Sequence, residues 1–224
     1  MIKGLIFDYG GTLDTNGCHW GMMIWHAYER QGVPVDEEAF REAYVHTERM
    51  LGKNRIIDTA DTFLTVLTKK ITIQMDYLQV EGYVEAVVND LYGLVQIHTT
   101  HAVRVLKELS RCYPLVLVSN FYGNMQTVLE EFGFRHLFAQ VIESAVVGIR
   151  KPDPQIFKLG VDALGFSPDE VAVIGDSVEK DMTPARCLGC HTIWIQGEGW
   201  SPHPSDLSAV DVIITDLQEL LTLR

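Results

Sequence analysis

Short apolar runs punctuate the chain at Ile2 to Phe7, Leu115 to Val118, Val141 to Ile142, Val171 to Ile174, Thr192 to Ile195 and Val212 to Ile214. Their apolarity is continuous rather than alternating, and β-branched residues recur in them. That pattern predicts strands covered on both faces, as in a parallel sheet wrapped by helices. Helical periodicity fills the gaps from residue 99 onward. His101 to Leu109 sets Val105, Leu106 and Leu109 on one stripe, and Met125 to Phe132 and Pro154 to Leu164 read similarly. Gly133 and Gly165 stand where helix C-caps are expected. Alternating strand and helix predicts an α/β fold with a doubly wound parallel sheet.

The rhythm breaks once, because about a hundred residues separate the first run from the second. Between them lie helical patterns around Met22, Met23, Trp25, His26 and Ala27, then at Glu37 to Leu51, Thr62 to Leu67 and Tyr77 to Val95, with no strand run of comparable quality. The expectation is a helical domain, residues 15–97, spliced into a core made of residues 1–14 and 98–224. Its hinges would fall near Asp14 to Cys18 and near Gln96 to Thr100. The alternative is that these helices pack on the core as part of one domain.

Composition narrows the function. The 224 residues are 47% hydrophobic and 21% charged, an ordinary globular balance that argues against disorder, collagen-like sequence and a coiled coil. Thirty acidic against 18 basic residues give a formal charge of -12, the wrong sign for holding a phosphate backbone. No nucleic acid is therefore expected as a partner, whereas a small anionic ligand stays open, because a site's potential depends on local charges and on any bound cation. No apolar stretch reaches the ~18 residues of a membrane span, and the N-terminus carries neither a basic leader nor a cleavage signal. No membrane partner and a cytoplasmic location are the expectation. Cys18, Cys112, Cys187 and Cys190 suit a reducing compartment, and the lone C-x-x-C of Cys187 and Cys190 offers only half of a zinc site.

The runs end in polar groups. Ile2 to Phe7 leads into Asp8, Leu115 to Val118 into Ser119 and Asn120, and Val171 to Ile174 into Gly175, Asp176 and Ser177. Parallel strands would bring these groups to one carboxyl edge, where open α/β sheets bind ligands. A single carboxylate at a strand end also serves as a helix cap; three coinciding polar endings make that reading weaker. Gly10 and Gly11 permit a sharp turn that exposes backbone groups. Asp8 and Asp176 offer hard oxygen ligands, few enough to leave Mg²⁺ some water and a substrate phosphate. Lys151, alone, reads as a solvated lysine; its loop follows the run ending at Ile142 and belongs at the same edge.

Asp8 to Leu13, Ser119, Lys151 and Gly175-Asp176-Ser177 through Asp181 resemble, in order and spacing, the four motifs of the haloacid dehalogenase superfamily, the HAD hydrolases. The resemblance covers the core; the insert matches only in position and helical character, like the C1 cap of that superfamily. It implies a Rossmann-like core and the phosphatase-like chemistry of a small phosphorylated metabolite. Asp8 is then the nucleophile that accepts a phosphoryl group, with Mg²⁺ held by Asp8, Asp176 and the carbonyl of Gly10. Ser119 and Lys151 would stabilise phosphoryl oxygens, Asp181 and Ser177 would support from behind, and Gly11, Thr12 and Asn120 would border the substrate. Thr12 would also brace the turn.

One position departs from the pattern. The residue two after the nucleophile is usually a second aspartate that protonates the leaving oxygen; here it is Gly10. Losing a positioned acid typically costs ~10² to 10⁴ in rate. Either another donor serves, such as His19, Tyr9, a cap residue or water; or the leaving group needs little protonation, as in acyl or anomeric phosphates; or the protein binds a phosphorylated ligand without turnover. Metal-free 2-haloacid dehalogenation fits poorly, since Asp176 is present and Asp14, Thr15 and Asn16 stand where a basic residue is typical. Phosphonate cleavage through a Schiff base needs an early cap lysine, and none lies between Lys3 and Lys53. In the insert, His19 and Trp20 are candidates to face the substrate, or else a capping histidine and a core tryptophan. Arg49, Lys53 and Arg55 would engage a second anionic group or form a solvated helix end, and Phe121 and Tyr122 would wall the pocket.

Overall fold

The computed structural model describes residues 1–222 other than His203. The apolar runs are strands: β1 (Gly4–Phe7), β2 (Leu115–Ser119), β3 (Gln140–Glu143), β4 (Val171–Gly175), β5 (His191–Ile195) and β6 (Val212–Ile214). They form one parallel sheet in the order β3-β2-β1-β4-β5-β6. Winding reverses between β1 and β4, and such a reversal opens a crevice beyond the carboxyl ends of the strands. Phe7 is level with Leu117 on one side and Ile174 on the other, so these three strands end at nearly the same height.

Successive side chains alternate between two cores. Leu5, Phe7, Leu115, Leu117, Ala172 and Ile174 point into one apolar cluster, and Ile6, Val116, Val118, Val171 and Val173 into the other. Burial on both faces explains why the strands read as unbroken apolar runs. The second cluster is closed by α7 (Gln155–Leu164) and α8 (Thr183–Cys187), the latter preceded by a π-helical turn, Val178–Met182. Cys187 is exposed, Cys190 is buried, and both are free thiols. No helix among the described residues is long and apolar enough to cross a membrane.

Four helices lie between β1 and β2: α1 (Trp20–Gln31), α2 (Glu37–Lys53), α3 (Phe63–Leu78) and α4 (Val84–Leu109). Asp36 caps α2 by accepting the Ala39 N–H at 2.8 Å, and Glu37 and Glu38 follow in the first turn, where the helix dipole favours negative charge. Their apolar faces join the first cluster, so Ile24, Tyr28, Phe40, Ile71 and Leu91 share a continuous core with Phe7 and Leu117. The break expected near Gln96 to Thr100 is absent: α4 runs through it, and the boundary at 97/98 falls inside a helix. The polar stretch misled because the hydroxyls of Thr99 and Thr100 donate back to the carbonyls of Val95 and Gln96, both at 2.7 Å, and leave the helix intact. Tyr77, expected to open a helix, instead lies in the last turn of α3.

The remaining helices are α5 (Met125–Glu131) and the one-turn α6 (Ser144–Val147). Gly165 caps α7 in the left-handed region, at φ 72°, and Gly133 follows α5 at φ 78°.

Candidate active site

Asp8 leaves β1 with its N–H still on the Ile174 carbonyl at 2.9 Å, which fixes the carboxylate at the strand's end. Its Oδ1 accepts from the Tyr9 N–H at 2.7 Å and pairs with Lys151 Nζ at 2.7 Å. No hydrogen bond reaches Oδ2 among the described residues. Lys151 pairs equally with Asp181 Oδ1, at 2.7 Å, while Asp181 Oδ2 accepts the Ser177 N–H at 3.1 Å. Burial works against the Lys151 charge, yet Asp181 and Asp8 outweigh it and hold the ammonium's pKa above lysine's ordinary value. Asn120 sets this lysine in place: its side chain donates to the Lys151 carbonyl at 3.1 Å and accepts the Lys151 N–H at 2.9 Å.

Asp176 is the third carboxylate, its oxygens within 4.8 Å of those of Asp8 and Asp181. No cation pairs with it among the described residues; its carboxylate takes a 3.5 Å contact from the Thr12 hydroxyl. Burial, and then the charges of Asp181 and Asp8, push its pKa well above the usual carboxylate range. A crowded carboxylate with no cation paired to it among the described residues fits a hard divalent cation. Asp181, with both oxygens engaged, is less free to ligate than Asp8 and Asp176. Close approach demands glycine here. Gly11 has φ +89°, and a Cβ on it would stand 2.4 Å from Asp176 Oδ2.

These groups floor a cavity of about 670 Å³, with Ser119 at its side. Ser119 is 1% exposed, and its Oγ has no hydrogen-bond partner among the described residues. A buried hydroxyl without a partner is costly unless a ligand meets it. Gly10, Gly11, Asn120, His19, Trp20, Ser177, Phe121 and Tyr122 also line the cavity. Thr12 does not: fully buried, it holds Asp176 from behind instead of bordering a substrate.

Several expected roles fall. Tyr9 is no proton donor to the cavity, because alternation along the chain turns it into the apolar core, edge-on to Phe121 and Phe134 at 5.8 and 6.3 Å. His19 caps α1, its Nδ1 accepting the Gly21 N–H at 3.0 Å, and burial pulls its pKa down to about 4. It is therefore neutral near pH 7 and holds no proton of suitable acidity. Arg49, Lys53 and Arg55 are exposed and do not line the cavity: the first two lie in the last turns of α2 and the third just past its end, which is the solvated helix end of the two readings. Among the residues that the sequence reading left without a site role, Asp14, Glu48 and Lys70 line it. Asp14 Oδ1 accepts the Gly11 N–H at 2.7 Å and Oδ2 the Trp20 indole N–H at 2.9 Å. Burial raises its pKa to about 7 despite those bonds. Gly10 leaves room on the same side, where an added Cβ would meet only Trp20, at 4.0 Å.

A doubly wound sheet that gathers an aspartate, a serine, a lysine and further acids at its carboxyl edge defines a hydrolase class, and the comparisons with known proteins name it. The chain matches the haloacid dehalogenase-like hydrolases over residues 2–189 and belongs to that family. A phosphoserine phosphatase of Thermus thermophilus is 36% identical over 107 residues, 47% of this chain and 42% of that protein, so the chain spans about two fifths of that relative's length. A glyceraldehyde 3-phosphate phosphatase of Methanothermobacter thermautotrophicus is 25% identical over 207 residues, 88% of this chain and 87% of that one. A dehalogenase of known structure shares the fold, with a TM-score of 0.69 over 100% of this chain and 97% of that chain at 19% identity.

Proposed function

We propose that the chain is a Mg²⁺-dependent phosphatase of small phosphate monoesters that works through Asp8. The observation that carries this reading is the meeting of Asp8, Ser119, Lys151 and Asp176, distant in sequence, around one cavity, with a buried serine hydroxyl left unpaired there. The named activities of the Thermus and Methanothermobacter relatives, both phosphatases of small metabolites, support it.

Asp8 attacks phosphorus through its unbonded oxygen; the P–O bond to the alcohol breaks, and the aspartyl-phosphate is then hydrolysed by water. Lys151 and Ser119 hold the transferring oxygens, and Lys151 is kept in place by Asp181 and Asn120. Asp8, Asp176 and the Gly10 carbonyl would hold Mg²⁺, which when bound offsets the charge between phosphate and nucleophile. The leaving oxygen needs a proton that Gly10 cannot give. Asp14 lines the cavity and bonds to the Trp20 indole that borders Gly10, and this reading assigns it the role of proton donor.

Phosphate release from sugar phosphates, nucleotides and acyl phosphates, with Asp8→Asn as control, tests the reading; turnover that persists in Asp8→Asn would end it. Gly10 also favours a second reading, a phosphate-binding module without turnover. A chain that binds phosphate esters, releases none, and gains hydrolysis only as Gly10→Asp would establish that alternative.

A further inference from the structure

Helices α2 and α3 bring an ion pair to this cavity that the phosphoryl chemistry does not use. Lys70 sits in mid-helix on α3, only 9% exposed, with Nζ 2.6 Å from Oε1 of Glu48 on α2. Its ammonium lies 5.8 Å from the Trp20 ring centre and 6.0 Å from those of Tyr44 and Tyr122, the outer range of a cation–π contact. The Tyr122 hydroxyl donates to Glu48 Oε2 at 3.4 Å. All five residues line the cavity. Of the buried helix neighbours of Lys70, Val66, Leu67 and Ile71 are apolar and Gln74 is an amide. An apolar residue at position 70 would serve packing as well, since buried ion pairs contribute little to stability beside hydrophobic replacements. A buried ammonium held by a carboxylate whose side chain stays 34% exposed, both at a ligand cavity, therefore points to recognition.

Trp20 joins the pair to the phosphoryl end. The ammonium faces its ring, and the ring's Cδ1 is 4.0 Å from the position a Cβ on Gly10 would take, so one indole separates Lys70 from the turn after Asp8. Charge then selects the group bound there. A lone carboxylate would meet the like charge of Glu48, and a lone ammonium that of Lys70, whereas a ligand carrying both meets an opposite charge at each. Lys70 has three N–H donors and Glu48 has lone pairs beyond those already engaged.

We propose that Lys70 and Glu48 form a subsite for a zwitterionic end of the substrate, with the carboxylate on Lys70 and the adjacent ammonium on Glu48. The substrate class is then an O-phosphorylated amino acid. This inference rests on the phosphatase reading for the phosphoryl end, but it is tested by binding and not by turnover. The Asp8→Asn chain, with Mg²⁺, is titrated calorimetrically with O-phosphoserine, with phosphoethanolamine, which lacks the carboxylate, and with 3-phosphoglycerate, which carries a hydroxyl for the ammonium. O-Phosphoserine is expected to bind about tenfold or more tightly than either, the usual size of a charge-assisted hydrogen bond. Adding Lys70→Met should erase the preference over phosphoethanolamine, and adding Glu48→Gln the preference over 3-phosphoglycerate. Equal affinities for the three ligands without a change at Lys70 or Glu48, or preferences that survive both substitutions, overturn the subsite. Phosphate release from phenyl phosphate by the unaltered chain is read separately. Selective binding without any release keeps the subsite and removes the phosphatase; release without selectivity does the reverse.

Discussion

Asp14→Asn probes how a chain with glycine at position 10 moves a proton. The substitution removes a carboxyl whose pKa burial has raised to about 7 from an ordinary 3.8. At pH 7 such a group is protonated about half the time, against roughly once in a thousand for an unshifted carboxyl. Losing it as the acid should lower kcat on an alkyl phosphate by ~10² to 10⁴, while a nitrophenyl phosphate, whose leaving group departs without a proton, should change by less than about tenfold. The fold also suffers, because asparagine can accept from only one of the Gly11 and Trp20 N–H donors through oxygen. Stranding the other costs ~1–3 kcal/mol, seen as a lower Tm that is common to both assays and cancels in their ratio. In the unaltered chain the alkyl ester rate should fall as pH rises through about 7, where Asp14 loses its proton, and the nitrophenyl rate should not. Gly10→Asp added to Asp14→Asn should restore the alkyl rate, since the position has room for a side chain. Equal losses on both esters, or no loss on the alkyl ester, would refute the assignment.

Ser119→Ala should separate binding from folding. Its hydroxyl is buried and unpaired among the described residues, so removal is expected to leave the unfolding free energy from urea titration unchanged or raised by up to ~1 kcal/mol, while affinity for inorganic phosphate falls about tenfold; a lower stability with unchanged affinity contradicts this. His26 joins α1 to the segment after β5 through Glu198 at 2.8 Å and bonds Glu29 at 2.8 Å, and these bonds raise its folded pKa. A raised histidine pKa stabilises fully below the unfolded value near 6.5 and loses that effect as pH climbs through the folded value. His26→Gln should therefore lower stability at pH 5 by no more than ~1 kcal/mol, since the pair is exposed, and leave it unchanged at pH 9. Urea unfolding at both pH values checks the sign.

The sheet was legible because its strands are buried on both faces. Leu5 and Ile6 point into different cores, so neither face tolerates polar residues, and the run stands out against its surroundings. Strand order followed less directly, yet the polar endings at Asp8, Ser119 and Asp176 implied a common edge once the strands were taken as parallel. The helical insert resisted the same treatment. Its core is continuous with that of the sheet, so no change of pattern marks where α4 passes from insert to core. Thr99 and Thr100 look like a breaker in sequence because hydroxyls compete for backbone bonds, and only the three-dimensional chain shows them bonding along the helix.

Site residues were readable where a motif fixes them to a strand end and unreadable where burial decides. Tyr9 stands next to Asp8 in sequence, but its side chain faces the opposite way, into Phe121 and Phe134. The basic group Arg49, Lys53 and Arg55 was conspicuous by density, and density of charge marks a solvated face; Lys70, the buried member of a lysine pair whose other member reaches Asp61, was the better signal, since a lysine beside Val66, Leu67 and Ile71 must find a partner or a ligand. Asp14 carries the same lesson. In sequence it reads as the edge of a hinge, yet a carboxylate three residues past a double glycine can fold back onto the turn's own amides, as it does with Gly11. Were Asp14 the proton donor, its acidity would rest on burial beside Trp20, which opens α1, and this would tie the donor to the integrity of the insert.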